Sequence, residues 1–363
     1  MSKPSICVIT CYKQPDYVRA KTLRRGLHES DLFEDVLIVK NKHTGVLRYI
    51  DVFAQLIKIR FSKNPDFYIL TFRGYETLPF VWLMTLGKKL LYDEFINPVE
   101  WFVYEHKKFA PGSIPAKLLR AVFRWFGKRV SLILTDTESH ADYSAELMDL
   151  PREKYRAIPV GTDERTFQPL NPISHDGFRV LFYGNMLPLH GVDIVLKTAE
   201  ILAARTDIIF HFVGGKKVIR EKTAAAQAIG ANIEHDKWIE FEKLPETFAK
   251  SDICLGGPFG GTVQSQYVIT GKTFQFMAAA RPAVIGSNKE TQLFTDKQNA
   301  LVVPQANVDA LKDVILWAAE NRDKLEAIGQ NGRKLYEEQF SSKRIACDFT
   351  SLFREYGITN VES

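Results

Sequence analysis

Short apolar runs alternate with longer amphipathic stretches along most of the chain. In the first half, five runs rich in β-branched and aromatic residues predict strands, and the stretches between them predict helices such as 16–29 and 46–61. Strands that alternate with helices are typical of a parallel sheet covered on both faces. The predicted strands are 5–10, 35–40, 65–72, 88–94 and 131–137.

The alternation stops in a polar stretch with Pro and Asn, residues 152–174, and restarts at "FRVLFYG". We therefore predict an α/β protein with two doubly wound, Rossmann-like domains, 1–170 and 171–340. We expect a C-terminal helix in 341–363 to pack back on the first domain. Ligands of such sheets bind at the carboxyl ends of the strands, so the cleft between the domains is the expected site.

Composition favours an ordinary globular protein with two cores. The chain has 363 residues, of which 45% are hydrophobic and 25% charged. Its four cysteines form no CxxC pair, which fits a reducing cytosol, and we expect Cys7 and Cys11 to be buried as small hydrophobes. We expect neither a signal peptide nor a membrane span, and we interpret the apolar stretch 78–87 as buried core.

The net charge of +5 is unevenly distributed. Residues up to 170 contain 26 Lys and Arg against 20 Asp and Glu, whereas the remainder contains 22 against 23. A basic first half suggests an anionic partner such as a membrane surface, a phosphorylated lipid or a nucleic acid, and chance is the alternative. No sheet face combines basic and aromatic residues in the manner of a nucleic-acid binder, so we expect no nucleic-acid partner.

Four segments of the second half follow predicted strands and contain glycine, namely 184–191, 214–217, 256–262 and 268–282. Glycine lets a backbone approach a phosphate closely, and the helix that begins near Gly271 offers free N–H groups. A single loop of this kind is usually a tight turn. Four at one sheet edge predict a phosphate site, to which Lys216, Lys217 and Lys272 would add positive charge.

The second half resembles the retaining GT-B glycosyltransferases of family 4. The resemblance is carried by "YGNMLPLHGVD", "FHFVGGKK", "FAKSDICLGG" and "GKTFQFMAAARP", and in the first half by "LTDTESHADY" and "YRAIPVGTDERTFQP". It implies a GT-B fold, a nucleotide-sugar donor and no metal or other cofactor. The donor-binding residues that it implies are Gly184, Asn185, His190, Gly191, Gly214, Gly215, Lys216, Gly261, Thr262, Lys272, Thr273 and Gln275.

The chain departs from the family pattern at three of these positions. The first loop of the family usually carries an Arg and a Lys where this chain has Asn185 and His190. The family's ribose-binding Glu corresponds to Gln275, and its first Glu falls near Tyr267. An imidazole at position 190 can donate a hydrogen bond, and its charge varies near neutral pH. These departures make Lys272 the main expected ligand of a diphosphate.

The loop 90–108 is dense in ionisable groups. By its place after a strand and by the resemblance, Asp93 and His106 join Lys272 as candidate catalytic residues, with Asp93 orienting an acceptor hydroxyl. The alternative for each carboxylate of this loop is a solvated helix face or a helix cap. The helix 114–130 interleaves apolar and basic residues, which fits either an anionic membrane surface or core packing with solvated basic side chains.

The leading hypothesis is a cytoplasmic retaining glycosyltransferase that moves a sugar from a UDP- or GDP-linked donor to a glycan or lipid-linked acceptor. Two alternatives remain open within the same fold. A sugar-nucleotide epimerase would need converging acid and base groups, which the loop 90–108 offers. A catalytically degenerate partner subunit would explain the departures at positions 185, 190 and 275.

Overall fold

The computed structural model describes residues 3–357, which divide into two compact units. The first unit contains the described residues up to Val160 together with those from Ser342 onward, and the second is Gly161–Ser341. The change of unit falls inside the stretch where the alternation of strands and helices stops.

The first unit is a six-stranded parallel sheet whose strands alternate with helices, as the pattern predicts. Its elements are β1 (Ser5–Thr10), α1 (Val18–Glu29), β2 (Asp35–Lys40), α2 (Leu47–Ser62), β3 (Phe67–Leu70), α3 (Leu78–Met84), β4 (Lys89–Asp93), α4 (Ile114–Arg129), β5 (Leu132–Thr135), α5 (Glu138–Met148) and β6 (Tyr155–Ala157). The strand order is β2-β1-β3-β4-β5-β6, and a π-helical segment, Glu100–Glu105, lies between β4 and α4.

Both faces of this sheet are buried. Along β1, Cys7 and Ile9 belong to one apolar cluster, whereas Ile6 and Val8 belong to a second cluster. Successive side chains of a strand point to opposite faces, so a strand covered on both sides must be apolar throughout. The expected burial of Cys7 and Cys11 is confirmed, and desolvation raises the pKa of the Cys7 thiol to about 12.

The second unit repeats the architecture with a second parallel sheet of order β12-β11-β10-β7-β8-β9. Its elements are β7 (Phe178–Gly184), α6 (Val192–Ile201), β8 (Ile208–Gly214), α7 (Lys217–Ala228), β9 (Ile233–Asp236), α8 (Leu244–Ala249), β10 (Ile253–Leu255), α9 (Gly271–Ala278), β11 (Ala283–Ser287), β12 (Leu301–Pro304), α10 (Val308–Glu320) and α11 (Arg322–Gln339). The two doubly wound sheets confirm the predicted fold class.

The last helix, α12 (Ser342–Arg354), belongs to the first unit. Its buried residues Ile345 and Phe349 share an apolar cluster with Leu27 of α1 and with β1. The chain therefore returns to the first sheet after it completes the second.

The apolar stretch 78–87 is only partly buried. Leu78 and Val81 lie in the core, whereas Leu83 is 56% exposed and Leu86 is 49% exposed. The prediction of a buried segment is therefore wrong for its second half, because α3 is apolar all round but packs only one side, with Leu78 and Val81, on the core. None of the helices in residues 3–357 is both long and apolar enough to cross a membrane.

Candidate functional site

The glycine-rich loops of the second unit meet at the carboxyl edge of its sheet. Strands β10, β7 and β8 are neighbours in the parallel order, so the loops that follow them leave the sheet side by side. Gly184 and Gly214 are paired at the ends of β7 and β8, and the Gly215 N–H donates to the Gly184 carbonyl at 3.1 Å. The first two loops are thus fixed to each other by backbone contacts.

The loop after β7 also packs tightly on the loop after β10. The Gly260 N–H donates to the Leu189 carbonyl at 3.0 Å, and a side chain at Gly260 would clash with the Pro188 carbonyl oxygen. Gly191 ends the short helical turn Pro188–His190 with φ +67°, and a Cβ there would lie 2.6 Å from the Phe259 carbonyl carbon. Glycine is required at both positions because the two backbones touch.

Lys272 lies in the first turn of α9 and is 6% exposed. Its ammonium has no hydrogen-bond partner among the described residues, and Nζ lies 4.0 Å from the centroid of the Phe182 ring. Desolvation lowers the pKa of Lys272 to about 7. A buried ammonium without a counter-ion is unfavourable, so this arrangement is suited to an anionic ligand that would supply the missing charge.

His190 stands near the same ammonium. Its Nδ1 is buried and has no partner in the part of the chain that the structure describes. Burial and then the charge of Lys272 hold the pKa of His190 well below its ordinary value. The expectation that its charge varies near neutral pH is therefore wrong, and the imidazole is a neutral group with one nitrogen still able to bond.

Gln275 follows Lys272 by three residues on α9, which places the two side chains on neighbouring positions of one helix face. Its Oε1 is buried and, within residues 3–357, has no hydrogen-bond partner. An amide oxygen of this kind accepts a hydrogen bond from a hydroxyl or an N–H. Lys272, His190 and Gln275 thus leave three buried polar atoms of the second unit unsatisfied, and natural proteins seldom leave such atoms without a ligand or water.

Thr273 takes a different role. Its side chain is fully buried, and its hydroxyl lies 3.0 Å from that of Thr270, which donates to the Gly256 carbonyl at 2.7 Å. This chain of contacts ties the start of α9 to the loop after β10. Thr273 therefore positions the helix start, where free backbone N–H groups favour an anion.

The other donor residues implied by the resemblance lie at the outer part of the same edge. Asn185, Lys216 and Gly261 are exposed, and the Thr262 hydroxyl lies 2.9 Å from that of Ser265. These residues are open to solvent or form local hydrogen bonds. By contrast, one polar atom each of Lys272, His190 and Gln275 is buried without a hydrogen-bond partner among the described residues.

Asp93 of the first unit forms a buried ion pair with Arg19. One carboxylate oxygen accepts from Arg19 Nη2 at 2.8 Å and from Nε at 3.1 Å, and the other accepts from the Phe72 N–H at 3.1 Å. Both side chains are fully buried, and Arg19 also donates to the Thr135 and Pro159 carbonyls. The Asp93–Arg19 pair thus connects α1 to the carboxyl ends of β3, β4 and β5. In this structure both carboxylate oxygens of Asp93 accept hydrogen bonds from within the first unit.

His106 is exposed at the end of the π-helical segment, with its ring 4.1 Å from that of Trp101. It lies in the stretch that the sequence marks as dense in ionisable groups. The interpretation of the other carboxylates there as a solvated helix face is wrong for Glu94 and Glu100, because both are buried.

A buried acidic cluster in the first unit escaped the sequence analysis. Burial raises the pKa of Glu94 to about 7 and that of Glu100 to about 8. His140 Nδ1 lies 2.5 Å from Asp136 Oδ1, and this carboxylate outweighs the effect of burial and raises the pKa of His140. The signal was present in "TDTESH", where Asp136 and His140 are four residues apart at the start of a helix that follows β5.

In residues 3–357 no three His, Cys, Asp or Glu side chains are grouped so that they could hold a metal ion. In the buried acidic cluster His140 pairs with Asp136, and the carboxyls of Glu94 and Glu100 are desolvated, which favours their neutral form over cation binding. The candidate site of the second unit presents an ammonium suited to an anion and an amide oxygen suited to a hydroxyl or N–H donor.

Comparison with known proteins gives this geometry a context. Residues 177–321 match the family described as glycosyl transferases group 1. An MMP α-(1→4)-mannosyltransferase from Mycolicibacterium hassiacum is 23% identical over 250 residues, which cover 64% of this chain and 58% of that protein. The chain thus aligns with little more than half the length of this curated relative.

Solved structures of similar fold cover nearly the whole chain. HepE from Anabaena, in complex with UDP and glucose, has a TM-score of 0.69 at 12% identity and covers 97% of this chain and 100% of its own. Sucrose-phosphate synthase from Thermosynechococcus elongatus has a TM-score of 0.70 at 13% identity and covers 98% and 99%. The chain therefore has the GT-B fold of two Rossmann-like units, and its second unit contains a region similar to glycosyl transferases group 1.

Proposed function

We propose that the protein is a retaining, metal-independent glycosyltransferase that moves a hexosyl group from a UDP- or GDP-linked donor to a glycan or lipid-linked acceptor. The second unit binds the donor, and the first unit binds the acceptor. The observation that carries this proposal is the buried Lys272 ammonium, which lies at the start of α9 without a counter-ion.

The chemistry follows from where negative charge develops. When the bond between the anomeric carbon and the diphosphate oxygen breaks, the electron pair goes to the diphosphate. A fixed ammonium and the backbone N–H groups of a helix start stabilise this charge without reorganisation. In the proposed reaction the oxygen of the acceptor hydroxyl bonds to the anomeric carbon, and its proton goes to the departing phosphate oxygen. No strong protein base is therefore required.

The neutral residues of the site bind rather than ionise. His190 donates or accepts one hydrogen bond at Nδ1, and Gln275 Oε1 accepts one from a hydroxyl. A sugar or ribose offers such hydroxyls, and a site built to bond them discriminates against ligands without them. At positions 190 and 275 this chain thus has neutral hydrogen-bonding side chains where the family pattern has charged ones. Lys272 is then the main group that binds the diphosphate.

The similar proteins support the choice of ligand. One structure of the Anabaena protein is a complex with UDP and glucose, and a second is a complex with UDP-glucose. The relative from Mycolicibacterium is named a mannosyltransferase. We infer a nucleotide-sugar donor here, a role at the cytoplasmic face of a membrane in polysaccharide assembly, and peripheral contact of the helix 114–130 with anionic lipid.

The proposal is tested by incubating the protein with UDP-glucose or GDP-mannose and a panel of glycosides, and by measuring the release of UDP or GDP. Acceptor-dependent release that Lys272→Met abolishes, and that EDTA leaves unchanged, is the expected result. The anomeric configuration of the product, read by NMR, distinguishes retention from inversion. Conversion of the donor to an epimer without any acceptor would instead support the epimerase alternative.

A further inference from the structure

Helices α2, α3 and α4 of the first unit carry a row of exposed apolar side chains, here called the three-helix surface. On α2, Ile50, Ile57 and Phe61 are spaced by seven and four residues and therefore share one face, and Phe61 is 79% exposed. On α4, Leu118 and Trp125 are seven residues apart on another exposed face. Patches of this kind mark sites of interaction with a protein or a membrane.

Side-chain contacts join the three helices into one continuous surface. The rings of Phe53 on α2 and Phe80 on α3 stack with centroids 3.8 Å apart. Trp82 on α3 meets Trp125 on α4 at 5.0 Å. These aromatic pairs hold the helices side by side, so the apolar residues that face outward lie on neighbouring elements of a rigid scaffold.

The three-helix surface is also cationic. Lys58, Lys63, Lys117 and Lys128 are exposed, and none of the described residues forms an ion pair or hydrogen bond with their ammonium groups. Helices α3 and α4 contain no Asp or Glu, and the single acid of α2, Asp51, accepts from His43. The surface therefore presents uncompensated positive charge around an apolar centre.

The structure changes which residues of the helix 114–130 bear on a membrane. Arg120 Nε donates to the Leu147 carbonyl at 2.7 Å, and Arg124 forms an ion pair with Asp149. These two arginines fasten α4 to α5. Lys117 and Lys128 of α4, with Lys58 of α2 and Lys63 directly after it, remain for an outside partner.

We propose that the three-helix surface docks the protein on an anionic lipid bilayer, with Phe61 and Leu118 among the side chains that enter the boundary between headgroups and acyl chains. The four lysines then lie at the level of the lipid phosphates, which their flexible stems can reach. Trp125 suits this boundary because its ring is apolar and the Arg129 guanidinium covers it at 3.6 Å. Docking on a bilayer would bring the protein to a lipid-linked acceptor, and in this respect the inference rests on the proposed function.

The test uses neither donor nor acceptor. The full chain is sedimented with vesicles of phosphatidylcholine alone and with vesicles that contain about 30% phosphatidylglycerol. We expect binding to the anionic vesicles to be at least about tenfold stronger and to weaken as salt is added. Equal binding to both kinds of vesicle, or binding to neither, would overturn the proposal.

Variants locate the contact. The joint change of Lys58, Lys63, Lys117 and Lys128 to Gln should reduce binding by about tenfold or more, and Phe61→Ser with Leu118→Ser should do the same. A matched control, Lys237→Gln with Trp238→Ser on the second unit, replaces equally exposed residues and should bind like the parent. If the lysine variant binds the anionic vesicles like the parent, the three-helix surface is not the membrane contact and the proposal is wrong.

Two further measurements separate the possible outcomes. Light scattering without lipid measures the molar mass of the parent and of Phe61→Ser. A parent dimer that becomes a monomer in Phe61→Ser would show that the three-helix surface binds a second copy of the chain and not a bilayer. UDP and GDP titrations of the same variants should match those of the parent, because these changes lie outside the second unit. A protein that binds vesicles but neither nucleotide would keep this inference and overturn the proposed function.

Discussion

The Nζ atom of Lys272 lies 4.0 Å from the ring centroid of Phe182, and none of the carboxylates in the described chain pairs with it. The aromatic face partly compensates the charge, by about 0.5–2 kcal/mol for such pairs. That is less than the cost of removing an ammonium from water. The free protein therefore has an unfavourable buried charge at Lys272, which an anionic ligand would neutralise.

The first prediction concerns stability without ligand. Lys272→Met keeps the length and apolar stem of the side chain and removes the unpaired charge, so it should leave the free energy of unfolding unchanged or raise it by about 1–3 kcal/mol. Urea denaturation of the free protein at pH 7 measures the change. Lys237→Met, which alters an exposed lysine of the same unit, should have no effect beyond about 0.5 kcal/mol. A clear loss of stability in Lys272→Met would show that the ammonium has an internal partner.

The second prediction concerns pH. The folded-state pKa of Lys272 is lowered to about 7, below its ordinary value of 10.5, so the unfolded chain binds more protons between these values. Stability should therefore rise with pH from about 7 to about 10.5 by up to about 1.4 kcal/mol per unit from this residue, relative to Lys272→Met. Below pH 7 the residue is charged in both states, and its contribution should level off. Parallel curves for the two proteins over this range would contradict the lowered pKa.

The third prediction concerns His190. Because burial and the Lys272 charge keep its imidazole neutral, His190→Gln should preserve a hydrogen-bonding side chain and change nucleotide affinity by less than about threefold. His190→Ala should weaken it by about two- to twelvefold, the range for one neutral hydrogen bond. Calorimetric titrations at pH 6 and pH 8 should give the same ratio between parent and variant. A ratio that grows at pH 6 would show that a charged imidazole binds the ligand.

The fourth prediction concerns Asp93. Asp93→Asn leaves the Arg19 guanidinium buried without its counter-ion, and it should cost about 3–5 kcal/mol of unfolding free energy. Asp149→Asn removes the partner of Arg124 in an exposed pair and should cost less than about 1 kcal/mol. Denaturation curves of the two variants make the comparison. If Asp93→Asn is as stable as the parent but loses transfer to the acceptor, Asp93 acts on the substrate and the structural role is wrong.

The local pattern was enough to predict the fold and the loops of the candidate site. The alternation of short apolar runs with amphipathic stretches gave the two doubly wound sheets, and glycines after β7, β8 and β10 marked the edge where the loops meet. Both signals are written in residues close together in the chain, so no distant contact had to be known.

Distant partners explain what the sequence could not show. Arg19 and Asp93 are 74 residues apart, and the strand order alone brings them together. Glu94 and Glu100 looked solvated because most carboxylates are exposed, and their burial depends on how the π-helical segment packs. Within the sequence, the unpaired lysines and the paired arginines of α4 look alike, because all of them are basic residues among apolar ones. Arg120 and Arg124 have partners only because the end of α5 packs beside them.

Calorimetric titration of UDP and GDP into the parent and into Lys272→Met shows whether Lys272 is the main ligand of a nucleoside diphosphate. We expect the parent to bind at least one of the two nucleotides. We expect Lys272→Met to bind about ten- to a hundredfold more weakly, which corresponds to about 1.5–3 kcal/mol for a hydrogen bond to a charged group. Absence of binding by the folded parent, or equal affinity in the two proteins, would contradict this role of Lys272.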